Sequence, residues 1–163
     1  MPRALLRRLA RRTEAGFTLV ELMVVVLIIA ILLAIAIPTF LGVRTRAQDR
    51  AAQTSLRNSL VAAKTLYLDA QDYSQATPAA LSAVAPDLDY LAADSTGPRE
   101  VSVGAGVSTA TAFYAAVRSD SGRCFYLKDD VTAGGGGTTY AKSSVAACGA
   151  TATPAGGYSA GGW

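Results

Sequence analysis

Gly16-Phe17-Thr18-Leu19-Val20-Glu21-Leu22 is the point at which this chain changes character. Before it lies a short basic stretch, residues 1–16. After it, no charge appears from Leu22 to Val43. From Phe17 to Val43 the segment is about 27 residues, or roughly 40 Å as a helix, against a hydrocarbon core of about 30 Å. Leu22 to Ile37 is apolar on every face, so a helix there expects apolar surroundings all round, either lipid or further copies of itself. One acid, Glu21, stands at the head of this segment. An unpaired carboxylate at the centre of a membrane helix costs about 2.5–3.5 kcal/mol on insertion scales, so Glu21 calls for a partner.

The chain has 163 residues, a formal charge of +3 and an isoelectric point near 9.0. The basic excess is local. Arg3, Arg7, Arg8, Arg11 and Arg12 precede Phe17 with only Glu14 against them, which leaves ten basic and eleven acidic residues beyond. This distribution argues against a nucleic-acid patch. By the positive-inside rule it places the N-terminus in the cytoplasm and the following domain outside. A secretory signal runs basic, apolar, then cleavage site. Here the small residue at the boundary, Gly16, comes before the apolar run, so a cut there would leave the hydrophobic segment on the mature chain. Hydropathy alone is equally compatible with an ordinary signal anchor, with Gly16 a mere linker.

The stretch Gly16 to Leu22 resembles the processing site of type IV prepilins and their relatives, the pseudopilins of type II secretion and the competence pilins. The likeness is dense over residues 11–43 and looser beyond. It implies that a prepilin peptidase cuts between Gly16 and Phe17 and methylates the new amine of Phe17, and that Glu21 is the acid needed for assembly. Elementary electrostatics supports such a role. Cleavage creates an ammonium on Phe17, four residues before Glu21 and so one helical turn away. Pairing offsets the cost of the buried carboxylate, and an amine supplied by a neighbouring subunit would also set axial register. The alternative is that Glu21 sits at headgroup level and simply favours the helix N-terminus. Further on, Pro38 removes a backbone donor and Gly42 adds freedom, so the helix is expected to bend or loosen there. Many pilins also have a glycine about eight residues before this proline; this chain has Ala30.

From Arg44 the pattern becomes amphipathic. Ala52, Leu56, Leu60, Ala63, Tyr67 and Ala70 recur at spacings of three and four. Arg44, Arg46, Asp49, Arg50, Arg57 and Lys64 take other faces and read as a solvated surface, with pairing to acids of neighbouring subunits as the alternative. Asp72 to Gly97 reads as a connecting loop with one helical turn near Ala79 to Val84. Strand signals follow at Val101 and Val103, at Phe113 to Arg118, at Cys124 to Leu127 and at Thr138 to Lys142. Asp120-Ser121-Gly122-Arg123 should close a hairpin. The expected fold is α+β: a long N-terminal helix, apolar then amphipathic, packed on a small antiparallel β-sheet head. The divisions are a cleaved leader (1–16), a membrane or filament-core helix (17–43), the amphipathic half (44–71) and the head (72–163).

Cys124 and Cys148 are an even pair in a segment expected outside, which favours a disulfide over a metal site. The chain has no histidine, and two thiols alone are too few for zinc. The pilin likeness implies the same Cys124–Cys148 pairing. Gly134 to Gly137 lacks the Lys-Ser/Thr of a phosphate loop, and Gly104-Ala105-Gly106 lacks the rest of a nucleotide signature. Asp129-Asp130 falls short of a calcium cage. Tyr158 and Trp163 read as a loosely ordered end. No serine stands in a nucleophile elbow. These absences weigh against an enzyme and against a cofactor or metal. The likeness implies a homo-oligomeric surface filament for motility, adhesion or DNA uptake, reached from the cytoplasmic membrane with a peptidase, an assembly ATPase and an inner-membrane platform as partners. A secretion or competence pseudopilin is the second reading. A membrane-anchored binding module or enzyme is the third.

Overall fold

A computed structural model describes residues 16–104, 108–134, 136–151, 154 and 156–163. The leader expectation for residues 1–15 and part of Gly104-Ala105-Gly106 lie outside the described residues. The chain forms two compact units, one ending at Leu41 and one spanning Gly42–Trp163.

Helix α1 (Leu19–Ala70) contributes to both units. Its run of Leu, Val, Ile and Ala supplies neither a cap nor a break until Pro38. The helix continues through Pro38 and Gly42, and the Thr39 hydroxyl donates to the Ile35 carbonyl at 3.0 Å. In the first unit every side chain from Phe17 to Leu41 is exposed. Among the described residues, α1 is the one helix long and apolar enough to cross a membrane, by length and composition.

In the second unit a 3-10 turn (Tyr73–Gln75) and α2 (Pro78–Val84) follow. Helix α2 starts as its sequence dictates. Thr77 caps it, with its hydroxyl accepting from the Ala80 amide at 3.3 Å, and Pro78 takes the first turn, where a missing N–H does no harm. A five-stranded sheet comes next in the order β1 (Asp89–Leu91), β2 (Glu100–Ser102), β3 (Ala112–Arg118), β4 (Cys124–Asp130) and β5 (Gly137–Ser143). Strands β2 to β5 pair antiparallel, whereas β1 joins β2 in parallel. The expectation of a loop from Asp72 to Gly97 is corrected here: it holds a 3-10 turn and an edge strand as well as α2. Strand β1 is three residues long and carries Asp89, too short for a period-two pattern to show.

The β3–β4 hairpin closes through Asp120-Ser121-Gly122. The Gly122 amide donates to the Ser119 carbonyl at 2.9 Å, and the Ser119 amide donates to the Arg123 carbonyl at 2.8 Å. Gly122 has φ +86°, the left-handed residue that a three-residue hairpin loop requires after its type I turn.

Alternation along the strands sorts side chains onto two faces. Val101, Val103, Phe113, Ala115, Val117, Phe125 and Leu127 meet Ala52, Leu56, Ala62 and Ala63 of α1. The helical stripe is therefore close to the one expected, with Leu60 and Tyr67 half-buried and Ala70 exposed. The other sheet face carries Ala116, Cys124, Tyr126 and Ala141, covered by Cys148 and Tyr158.

The chain's end is anchored, contrary to the expectation of a loose tail. Ser159 and Tyr140 exchange two backbone hydrogen bonds at 2.8 Å, which covers part of the free edge of β5. Trp163 then turns to the helical side. Its indole N–H donates to the Tyr126 carbonyl at 3.0 Å, its ring lies 4.4 Å from that of Tyr140 and 6.1 Å from that of Phe125, and the Arg57 guanidinium stands over it at 5.1 Å. Glycine and alanine made this tail read as unstructured. Its two aromatic residues are what dock it.

Candidate functional site

The segment that sequence reading singled out is the entry to α1. Gly16 and Phe17 precede the helix and Phe17 is exposed. Thr18 stands at the N-cap position and Glu21 three residues on, the spacing of a capping box. The Glu21 amide donates to the Thr18 hydroxyl at 3.2 Å. In return the Glu21 carboxylate accepts from the Thr18 amide at 2.9 Å and from its hydroxyl at 2.8 Å. The carboxylate thus satisfies a backbone donor that the first helical turn leaves unpaired. Thr18 was missed by the sequence reading, although Thr-x-x-Glu before an apolar run is its signature. Gly16 and Phe17 lie just ahead of α1 and Glu21 in its first turn, and the carboxylate's partner is Thr18.

The charged residues of the amphipathic half do not all face solvent. Asp49 is buried, a correction to the solvated-face reading. Its carboxylate accepts from the Ser119 hydroxyl at 2.9 Å, from the Ser121 hydroxyl, and from the Arg123 guanidinium at 2.8 Å. Burial pushes this carboxyl up, but the two hydroxyls and the guanidinium outweigh it and hold it below its usual value. Asp49 thereby ties α1 to the β3–β4 turn.

A second buried acid, Asp129, ties α1 to the other end of the same strands. It accepts from the Tyr73 hydroxyl at 2.7 Å and the Thr138 hydroxyl at 2.5 Å, and its carboxylate lies 3.2 Å from the Lys64 ammonium. Burial again raises the carboxyl, and the Thr138, Tyr73 and Lys64 bonds again prevail and lower it. Its neighbour Asp130 sits on the opposite side of the strand. There the Thr132 hydroxyl, the Lys128 ammonium and the Thr132 amide hold it down to about 2. The two acids therefore point apart, each with its own donors, and do not form one calcium cradle. Among the described residues no group of three or more His, Cys, Asp or Glu side chains is placed to hold a metal ion.

Cys124, at the start of β4, is bonded to Cys148, with Cα atoms 5.5 Å apart. Arg118 steadies the loop before Cys148 by donating to the Ala146 carbonyl at 2.7 Å, and the Cys148 carbonyl accepts from the Ser95 amide at 2.9 Å. The bridge thus joins the outer sheet face, the β1–β2 connection and the C-terminal segment.

Residues 11–37 match the model of the prokaryotic N-terminal methylation motif. The chain is similar to the type IV major pilin protein PilA of Myxococcus xanthus, 46% identical over 59 residues, which are 36% of this chain and 27% of that protein. It is also similar to the type IV wide pilus major component PilA4 of Thermus thermophilus, 37% identical over 71 residues, which are 44% of this chain and 54% of that one. The chain thus spans about a quarter and about half of the lengths of these relatives. No solved structure matches it. Over part of its length the chain is thus similar to type IV major pilins, and the matched methylation motif overlaps the start of its long apolar helix.

Proposed function

We propose, from the methylation motif and the partial similarity to type IV major pilins, that this chain is a type IV pilus subunit, cut between Gly16 and Phe17 and assembled into a surface filament through α1. The observation that carries the proposal is the first unit itself. It is a helix with every apolar side chain from Leu19 to Leu41 uncovered, headed by an acid. Such a surface needs lipid before assembly and other copies of itself afterwards. Moving between the two exchanges one apolar contact for another, so hydrophobicity alone cannot drive or align assembly; packing and polar pairing must do so. Glu21 is the polar group at hand. In the intact chain it caps its own helix through Thr18. Once a peptidase frees the Phe17 amine, the carboxylate has a stronger, charged partner in its own chain or in the next. Pro38–Gly42, where the sequence leads one to expect a bend, spans the boundary of the two compact units in the sequence, and we assign it the role of letting the filament core and the head adjust separately.

The topology we propose has the N-terminus in the cytoplasm and the head outside. The prepilin peptidase, assembly ATPase and inner-membrane platform are the partners this pathway requires. The test is Glu21→Ala in the producing cell, read by N-terminal sequencing of the membrane-bound protein and by electron microscopy of sheared fibres. We expect Phe17 as the first residue, with fibres greatly reduced. Abundant normal fibres would remove the pairing role, and mature fibres that begin at Met1 would remove the processing step.

A further inference from the structure

Beyond Gly16 the chain has ten cations, and they divide sharply by use. Six have partners. Arg123 pairs with Asp49, Lys64 with Asp129 and Lys128 with Asp130. Arg57 covers Trp163, Arg99 donates to the Asp87 carbonyl, and Arg118 donates to the Ala146 carbonyl. Among the described residues the side chains of Arg44, Arg46, Arg50 and Lys142 have no such partner, and all four are exposed.

Three of these four follow the uncharged run directly; Arg44 is the first charge after Glu21. The acid that would balance them in the sequence, Asp49, is turned inward and neutralised by the β3–β4 turn. Folding therefore converts a mixed stretch into an uncompensated basic one. Val43, Arg46, Ala47 and Arg50 line one open cleft, at the i, i+3, i+4, i+7 spacing of a single helix face that alternates apolar and guanidinium groups. Arg123, Lys142, Ser143 and Ser144 line another, which carries two cations and hydroxyl donors. The Asp49–Arg123 pair links the elements that carry the two clefts.

We infer that these clefts form a site for the headgroups of anionic phospholipids in the leaflet that the head faces. The inference rests on the topology proposed above. The charge is complementary, and the Val43/Ala47 surface suits the root of an acyl chain. Three arginines just outside the membrane also run against the positive-inside rule, so they need a use other than orientation. Each guanidinium near an anionic surface should improve binding about fivefold, since the electrostatic attraction is about 1 kcal/mol per cation.

The test uses the full chain in neutral detergent micelles, with bound lipid counted by native mass spectrometry. Phosphatidylglycerol is titrated against phosphatidylcholine, with inorganic phosphate as competitor. Wild type should prefer phosphatidylglycerol. The combined Arg46→Gln, Arg50→Gln and Lys142→Gln variant should lose about a hundredfold of that preference. Because these side chains are exposed and unpartnered, Trp163 fluorescence should report an unchanged fold. Equal binding of the two lipids would overturn the inference. So would inorganic phosphate displacing phosphatidylglycerol at equal concentration, which would make this a free-anion site. Variants that keep the lipid preference but fail to form fibres would assign the cations to a second copy of the chain instead. Protease mapping of the head's side of the membrane tests the underlying topology separately, since the micelle measurement has no sides.

Discussion

Replacing Asp49 by alanine should loosen the head from its own helix. The carboxylate accepts three hydrogen bonds from the β3–β4 turn, and their environments differ. The Ser119 hydroxyl is buried, and leaving it without a partner costs about 1–3 kcal/mol. Ser121 is half-buried and the Arg123 side chain is half exposed, so water takes over part of their bonding and their loss adds only about 0.5–1 kcal/mol. The total is about 1.5–4 kcal/mol, and Asp49→Asn, which keeps the volume and one acceptor, should lose about half as much. With a urea m-value of about 2 kcal/mol per molar, alanine should lower the unfolding midpoint by about 1–2 M.

The chain's single tryptophan provides the assay, because Trp163 is docked on Phe125 and Tyr140 beside the helix. Its fluorescence in a urea titration of the full chain in neutral detergent follows the head. The pH dependence supplies a second reading. The folded Asp49 carboxyl is held below its ordinary value, so its contribution is complete above the unfolded value of about 3.9 and fades as pH falls through the folded one. Wild type and Asp49→Ala should therefore differ most at neutral pH and converge in acid. A midpoint for Asp49→Ala within 0.2 M of wild type at pH 7, taken as about 0.4 kcal/mol at that m-value, would refute the assignment. So would a gap that persists undiminished at pH 2.

Three further outcomes are expected by the same titration. Gln71, just past the end of α1, has φ +53°, and Gln71→Gly should stabilise the head by about 0.5–1 kcal/mol because glycine adopts that conformation freely; a loss would show that the Gln71 side chain matters more than its backbone. Replacing both Cys124 and Cys148 by serine should cost about 3–4 kcal/mol on the chain-entropy model, with free-thiol labelling of the wild type near zero; strong labelling of both cysteines in the purified protein would contradict the bridge. Trp163→Ala should cost about 2 kcal/mol for a half-buried ring, read by near-ultraviolet circular dichroism of the tyrosines, and an unchanged transition would return the tail to the loosely attached status its composition suggested.

How much was legible depended on the range of the signal. The apolar run, the hairpin around Gly122 and the stripe Ala52–Leu56–Ala63 are local patterns with a clear period, and each corresponds to an element or face of the structure. The Thr18 cap was equally local and was overlooked because Glu21 was read only for its charge. Asp49 could not have been placed from the sequence. A carboxylate between Gln48 and Arg50 on a helix looks solvated, and only the fold brings Ser119, Ser121 and Arg123 to it across some seventy residues. Strand β1 was hidden for a similar reason: three residues carry no period, and their partner Glu100–Ser102 lies across a loop. The tail failed by composition, since glycine and alanine dominate it while two aromatic residues determine where it goes.

These differences share one cause, which also separates the two units physically. In the second unit Asp49, Arg57 and Lys64 of α1 find partners within the chain, while Arg44, Arg46 and Arg50 stand as a cluster of exposed cations. Its apolar stripe finds the sheet, and so its contacts can be listed and its stability apportioned. In the first unit the described residues from Phe17 to Leu41 are all exposed. Its charged polar arrangement among the described residues is the Thr18–Glu21 cap, and its apolar side chains are exposed along more than twenty consecutive residues. A soluble fold would cover such a face, because each buried aliphatic side chain is worth about 1.5–3 kcal/mol. Under the proposed assembly such a face is specified by what covers it from outside, and the capped Glu21 at its head is the polar group to which we assign the choice between lipid and another copy of the chain.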